Sequence, residues 1–476
     1  MQKRVMNPYL PLWEYIPDGE PRIFGDRLYI YGSHDFAGGY HGYCPGDYMS
    51  WSAPLDDLSA WECHGVLYPR RETPDFDEKD AMAAPDVVQG PDGRYYLYYN
   101  TNGQKICRVG VSDSPSGPFR YYGDVQTPDG VPYTDFKMFD PGVLVDDDGK
   151  VYLFIGFCMP GPVPEQFKGM KSPFPESSMG YRLDSDMRTI LEGPVPIIPG
   201  GNLTAGTGFE GHGFYEASSP RKINGKYVMV YSAETSHEMA YALADAPLGS
   251  YTFAGSLVSS ADLGLNGNTE PKMPYGNVHG SVVQLNGDWY IFYHRQTSGI
   301  ECARQGCAEK LPIREDGWFG MAEITGCGLN GGPLADEGRY NAAYCCHLTG
   351  DHVYKGKMDV RTRRTETDTC IWEETNPEHP EWSVHYIANI HSVTEVGFKY
   401  FDFHGPKALK LRLRGQGNVG VRVKLDRMEG IGSGETVLAG DWQELTVPIA
   451  EAQGVHGLYF TFDGDKVQFE SFEFVG

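Results

Sequence analysis

The chain has 476 residues, enough for two domains, and its 64 acidic against 40 basic side chains leave a net charge of −24. Such a surface repels nucleic acid and anionic membranes and suits neutral or cationic ligands, and no apolar run approaches the roughly 20 residues of a membrane span. The ten cysteines lack the short regular spacing of a disulfide framework, which fits a reducing compartment. The segment from Met1 to Pro11 carries two positive charges with no apolar stretch behind them. It is therefore not a signal peptide, and a cytoplasmic location is expected.

Five aromatic, β-branched hairpin segments follow in chain order, opening at Gly25, Gly93, Gly149, Gly225 and Gly287 and spaced 56 to 76 residues apart. Each is preceded by an apolar partner strand such as Gly142-Val143-Leu144-Val145. Repeats of strands and turns at this period predict a five-bladed β-propeller, because a single four-stranded blade cannot bury both its faces and must stack on others around an axis. Seven to nine positions ahead of each turn glycine stands one ionisable residue: Asp18, Asp86, Asp140, Glu216 and His279. Residues at one place in successive repeats converge on the channel. Taken singly, an acid at a strand start commonly caps a loop. Four acids and a histidine brought together cost like-charge repulsion and desolvation, and that points to a functional cluster.

The stretch from Met159 to about Gly213 is long for one blade and is expected to build the rim of a pocket. Cys302, Cys307, Cys327, Cys345 and Cys346 match no common zinc spacing and read as ordinary thiols. Near Gly328-Leu329-Asn330-Gly331-Gly332-Pro333 the repeats stop, which marks a domain junction. Residues 1–335 are assigned to the propeller and residues 345–476 to a second domain. There the pattern becomes strict alternation, Leu409, Leu411 and Leu413 against Lys410, Arg412 and Arg414, then Val419, Val421, Val423 and Leu425. This predicts an antiparallel β-sandwich of jelly-roll type with one face wet, so the fold class is all-β. Trp372, Trp382 and Trp442 are candidates to stack on a glycan, although tryptophan in a sandwich is more often core.

Taken in order, Ile16-Pro17-Asp18-Gly19, Tyr31-Gly32-Ser33-His34-Asp35, Ala84-Pro85-Asp86, Phe139-Asp140-Pro141, Tyr215-Glu216-Ala217, Asn277-Val278-His279-Gly280 and Tyr293-His294-Arg295 resemble glycoside hydrolase family 43. The sandwich, through Gly397-Phe398-Lys399-Tyr400-Phe401-Asp402-Phe403, resembles a family 6 carbohydrate-binding module. The resemblance implies an inverting exo-glycosidase that releases terminal α-L-arabinofuranosyl units from plant cell-wall oligosaccharides such as those of arabinoxylan and arabinan. A β-xylosidase on the same scaffold is the alternative. It implies Asp18 as general base, Glu216 as general acid and Asp140 as the ionised neighbour that raises the acid's pKa. Inversion needs base and acid about 6.5 to 9.5 Å apart with water between them.

By the same resemblance Arg295 contacts substrate, Asp86 lines or braces the pocket, and His34 with Asp35 are weaker pocket candidates. His279 is implied as a partner of a structural calcium ion or a water cluster. A histidine simply hydrogen-bonded in a polar channel is the alternative, since calcium prefers oxygen. The chemistry itself calls for no cofactor.

The sequence departs from the family where Pro17-Asp18-Gly19 replaces Ala-Asp-Pro, Ala83 replaces a tryptophan, and Glu216-Ala217-Ser218 replaces Glu-Gly-Pro. Those changes bear on pocket shape and hence on the sugar. A non-catalytic glycan-binding propeller would have no need to bear three converging carboxylates. A phosphorylase would need a dense Arg/Lys cluster beside the acid, and no such cluster is visible near the five motifs.

Overall fold

The computed structural model describes residues 5–159, 161–162, 174–360 and 367–476. Five antiparallel sheets succeed one another along the chain, each built outward from its first strand. Blade 1 runs from Glu20–Phe24 through Arg27–Tyr31 and Tyr48–Pro54 to Glu62–Tyr68. Blades 2, 3 and 4 begin at Asp86–Gln89, Gly142–Val145 and Phe214–Ile223, and blade 5 has three strands, Val282–Leu285, Asp288–Gln296 and Arg304–Lys310. The first strands approach their neighbours around the ring, so they are the ones that line the channel. Asn224-Gly225 and Asn286-Gly287 are two-residue turns in which both residues have positive φ, the turn chemistry that the twist of a tight hairpin demands.

Ring closure falls to the amino terminus. The amide of Tyr9 donates to the Gly306 carbonyl at 3.2 Å, and the side chain of Asn7 acts as a surrogate strand. Its Nδ2 donates to the Ala308 carbonyl and its Oδ1 accepts the Ala308 N–H, both at 2.9 Å.

The abundance of tyrosine is explained between the blades. Tyr31, Tyr98 and Tyr241 are fully buried, and their hydroxyls donate to the carbonyls of Pro115, Met187 and Phe319 on the next blade or its loops at 2.7, 2.5 and 3.1 Å. Each ring fills the inter-blade core while its hydroxyl satisfies a carbonyl that water cannot reach.

From Leu334 onward the chain forms a sandwich of two six-stranded sheets. Leu409, Leu411, Leu413, Val419, Val421 and Val423 are buried as their alternation predicts, beside Phe398, Phe460, Phe469 and Phe472. The first strand to join it, Leu334–Ala335, pairs in parallel with Phe401 and Asp402, so the sandwich sheets begin ahead of residue 345. One apolar cluster continues from Val258, Ile291 and Tyr293 of the propeller into Leu348, Ile371 and Phe398 of the sandwich. Polar ties reinforce it: Lys399 reaches Asp262 at 3.3 Å and Glu323 at 2.6 Å, and Tyr15 donates to Glu373 at 2.8 Å. The ten cysteines are free thiols, and among the described residues no group of His, Cys, Asp or Glu is spaced to hold a metal.

Blades 3 and 4 meet where two functional candidates sit. A Cβ on Gly142 would lie 1.9 Å from the Ser218 carbonyl oxygen, so only glycine lets the two inner strands come this close. Gly142→Ala is expected to push them apart at a cost of roughly 1–3 kcal/mol, read as a lowered urea midpoint. It should also reduce turnover, since Asp140 and Glu216 ride on those strands. An unchanged midpoint with unchanged turnover would contradict this contact.

Candidate active site

The channel is closed at one level by two ion pairs. Arg22 donates Nε and Nη2 to the two oxygens of Asp86 at 3.1 and 2.6 Å, and Arg221 caps Glu20. Asp86 also accepts the Val143 amide at 2.8 Å, which stitches blades 1, 2 and 3 together. Above this layer opens a cavity of about 320 Å³ lined by Asp18, Asp140, Glu216, His279, Glu301, Arg304, Lys137 and Lys357, with aromatic walls at Tyr43, Phe139, Phe157, Phe174 and Tyr215.

Asp18 precedes the first strand of blade 1 with φ of 59°, a left-handed conformation that aspartate tolerates better than most residues. Its Oδ1 accepts Arg304 Nη1 at 2.9 Å and its Oδ2 accepts the Ser33 hydroxyl. Its own amide donates to His294 Nδ1 at 3.2 Å, while Nε2 of that ring faces the Asn277 carbonyl at 2.9 Å. Burial alone would raise the Asp18 carboxyl, yet Arg304, ahead of His294, His279 and Ser33, more than offsets it and holds the group below the usual carboxylate range. Burial and Arg304 in turn push His294 down to about 3. That imidazole is neutral, and Arg304 is the permanent charge on Asp18.

Arg304 is itself clamped. Nε and Nη2 donate to the two oxygens of Asp35 at 2.7 and 3.1 Å, and the Tyr43 ring lies 4.9 Å from the guanidinium carbon. A buried pair of this kind holds only when further hydrogen bonds satisfy both partners. The Cys44 amide supplies one to Asp35 at 2.9 Å.

Glu216 enters from blade 4, where the pairing register shifts on both sides of it. The bulge, with Ala217 at φ 70°, re-aims the side chain into the cavity. Burial raises its carboxyl to about 7, against the pull of Lys357 and with help from Asp18 and Glu301. Asp140, at φ 46°, is raised well above the ordinary range, first by burial and then by the charge of Glu216, while the Ala217 amide favours its ionised form. The sequence reading has an ionised Asp140 charging its neighbour. In the structure burial is the first cause of the rise of both carboxyls, and the charge of Glu216 is the second for Asp140.

Three other expectations are corrected by position. Asp86 pairs with Tyr98 as Gly142 pairs with Phe154, so it belongs to the ion-pair layer, and blade 2 offers Ala83 and Ala84 to the cavity instead. Arg295 lies on the strand face opposite His294. It donates to Gln305 at 2.9 Å and to the Cys345 carbonyl at 3.2 Å, anchoring the sandwich away from the cavity. His34 likewise faces away from Asp35 and meets Glu14 and the Asp47 carbonyl at 3.2 and 3.1 Å. Of the long insertion, Phe174 stands on the cavity wall; residues 160 and 163–173 lie outside the described residues.

His279 lines the cavity with Nδ1 3.6 Å from Asp140 and 4.0 Å from Asp18. Burial lowers its pKa, so the ring is neutral. A calcium ion needs six to eight oxygens. Here the Asp18 carboxylate is committed to Arg304 and Ser33, and Glu20 and Asp86 to Arg22 and Arg221. This donor set does not fit the ion.

Arg304, Glu301, Tyr43, Lys137 and Lys357 were not anticipated. A signal existed for two of them, since Glu301 and Arg304 are the only charges between Thr297 and Ala308. Isolated charges in a buried run are paired or functional.

The model of "Glycosyl hydrolases family 43" matches residues 22–319. A xylosidase/arabinosidase of Thermoclostridium stercorarium is 40% identical over 475 residues, 98% of this chain and 97% of that protein. One of Bacteroides ovatus is 31% identical over 60% of this chain and 87% of its own length. Among solved structures, a β-xylosidase/α-arabinofuranosidase from a compost metagenome, in complex with xylotriose and calcium-free, is 26% identical. It covers 67% of this chain and 98% of that one, with a TM-score of 0.53.

Arg304→Met would leave Asp18 and Asp35 buried without their cation, at about 3–5 kcal/mol. The sign of the pH dependence should change with it. In the native protein the lowered pKa of Asp18 contributes stability that is lost only as pH falls through its folded value. In the variant both carboxyls are raised, so the deficit should be largest at pH 7 and shrink toward pH 4. Thermal midpoints of both proteins across that range test this, and a constant deficit would refute it.

Proposed function

Since the chain belongs to glycosyl hydrolases family 43, we propose that it is an inverting exo-glycosidase that removes terminal α-L-arabinofuranosyl units from arabinoxylan- or arabinan-derived oligosaccharides. One observation carries the reading. A single cavity holds a carboxylate kept ionised by Arg304 and a carboxyl raised to about 7. Two such groups pushed apart in pKa are a base and an acid ready at the same pH. Asp18 takes the proton of the attacking water, Glu216 gives its proton to the glycosidic oxygen, and Asp140 tunes and orients that acid. The small cavity, about 320 Å³ with its carboxyls buried, favours release of a terminal unit over cleavage within a chain.

β-Xylosidase action is the second reading, favoured by the relatives whose names join the two activities. Water is the acceptor in either case. Of the cavity's cations, Arg304 is committed to Asp18 and Asp35, and Lys357 faces Glu301 at 3.5 Å, which leaves Lys137 as a poor phosphate site on its own. As for the sandwich, Trp442 is covered by Arg414 at 4.4 Å, whereas Trp382 is exposed and stacked on His379. Trp382 is the better platform if this domain takes glycan as a carbohydrate-binding module would.

Nitrophenyl arabinofuranoside and xylopyranoside assayed side by side decide between the two sugars. Glu216→Ala should lose several orders of magnitude on poor leaving groups and far less on activated aryl glycosides, which need little protonation. Equal losses on both would remove Glu216 as the acid. The pH profile of kcat/KM should fall above about pH 7, where Glu216 ionises, and persist on the acid side below the usual carboxylate range. Proton NMR of the first product should show inversion; a retained anomer would exclude Asp18 as the base.

A further inference from the structure

One wall of the cavity is not made by the propeller. Lys357 follows the first sandwich strands in the chain, and backbone bonds lay it against blade 5. Residues 275 and 357 form a parallel bridge, the Met358 amide donates to the Tyr275 carbonyl at 2.8 Å, and the Glu301 amide donates to the Asp359 carbonyl at 3.3 Å. The lysine ammonium sits 3.5 Å from Glu301 Oε1 and 5.3 Å from the centre of the Tyr215 ring, next to Glu216 in sequence. The side chain keeps 40% of its surface exposed, whereas Glu301 keeps 8% and Asp18 5%. Asp18, Asp140 and Arg304 therefore form the depth of the cavity, and Lys357 stands at its mouth on the Glu216 side.

In an exo-acting pocket the terminal sugar fills the depth, and the scissile oxygen lies at the acid. The next sugar must then pass the group that stands outward of the acid. We propose that Lys357 is a substrate-positioning residue whose ammonium hydrogen-bonds a hydroxyl of the leaving-group sugar and holds the glycosidic oxygen toward Glu216. Glu301 fixes the ammonium from below, and its own Oε1 is anchored by the Asn277 amide at 2.8 Å. The ammonium has three donors, so Glu301 leaves capacity for a sugar. The inference rests on the hydrolase reading and adds to it a contact supplied by the carboxy-terminal half of the chain.

A second consequence follows from charge. Glu216 is faced by Asp18, Asp140, Glu301, Arg304 and the Tyr43 phenol, and Lys357 is the strongest charge acting to lower its pKa. Removing the lysine's charge should therefore make the acid weaker.

The test compares Lys357→Met and Lys357→Arg with the native full-length protein, on an arabino- or xylo-oligosaccharide and on the matching nitrophenyl glycoside. For Lys357→Met we expect KM for the oligosaccharide to rise about three- to ten-fold, the yield of one charge-assisted hydrogen bond discounted for exposure. KM for the aryl glycoside, which lacks the second sugar, should change little. The alkaline limb of the pH profile should move up by roughly half a unit or more. Lys357→Arg, which keeps the charge, should restore the limb. An unchanged limb with equal KM changes on both substrates would overturn the proposal and leave Lys357 as a strut for Glu301. If the native protein shows no glycosidase activity, the hydrolase reading has failed instead, and the two failures are thereby told apart.

Discussion

The buried guanidinium of Arg304, held between Asp18 and Asp35, is the interaction on which both ring and chemistry depend. Arg304 comes from blade 5, and its two carboxylates flank the first hairpin of blade 1. The pair thus spans the seam where the propeller closes, alongside the contact of Asn7 with Ala308. A buried ion pair is weak evidence of stability in itself. Its effect here is on charge state, because the same bond that bridges the seam keeps Asp18 ionised in a dry site. A covalently open ring and a correctly charged base are therefore secured by one residue.

The channel is organised in two charge layers with different balances. In the lower layer Glu20 and Asp86 meet Arg22 and Arg221, two against two, and the layer is neutral. Around the cavity stand Asp18, Asp35, Asp140, Glu216 and Glu301 against Arg304, Lys137 and Lys357. Carboxyls outnumber cations there, and burial penalises each uncompensated charge. Asp140 and Glu216, which Arg304 acts on only through space while it bonds Asp18 and Asp35 directly, are the carboxyls that burial raises above the ordinary range. The proposed acid thus stands where carboxylates outnumber cations around one cavity and direct pairing with Arg304 is lacking.

Much of the architecture was legible from the chain. The hairpins with their turn glycines disclosed five blades, and the leucine and valine alternation disclosed the sandwich, because both signals are local. Asp18, Asp140, Glu216 and His279 were legible as converging residues for the same reason. Asp86 was misplaced because the offset was counted from a turn glycine. Blade 2 has a five-residue loop where blade 1 has two, so the same count lands deeper in the channel. Arg295 was misread because adjacent strand residues face opposite sides, and His294 is the one that turns inward; His34 lies in the loop after Tyr31, where Asp35 rather than His34 reaches Arg304. Arg304 and Lys357 reach the cavity through pairings far apart in the chain, and no local pattern encodes those.

This division between local and distant signals also separates chemistry from selectivity. The proposed base and acid, Asp18 and Glu216, and their neighbour Asp140 all come from the inner ends of propeller blades, where geometry is fixed by the ring. The mouth is assembled from longer-range pieces: the insertion that brings Phe174, the turn before Arg304–Lys310 that brings Glu301, and the sandwich segment that brings Lys357. The sandwich is bound to blades 4 and 5 through a continuous apolar cluster and the buried Lys399, which hold the segment of Lys357 against the propeller. On the proposed roles, preference for what lies beyond the scissile bond can change in the segment that brings Lys357 while Asp18, Arg304 and Glu216 stay as they are.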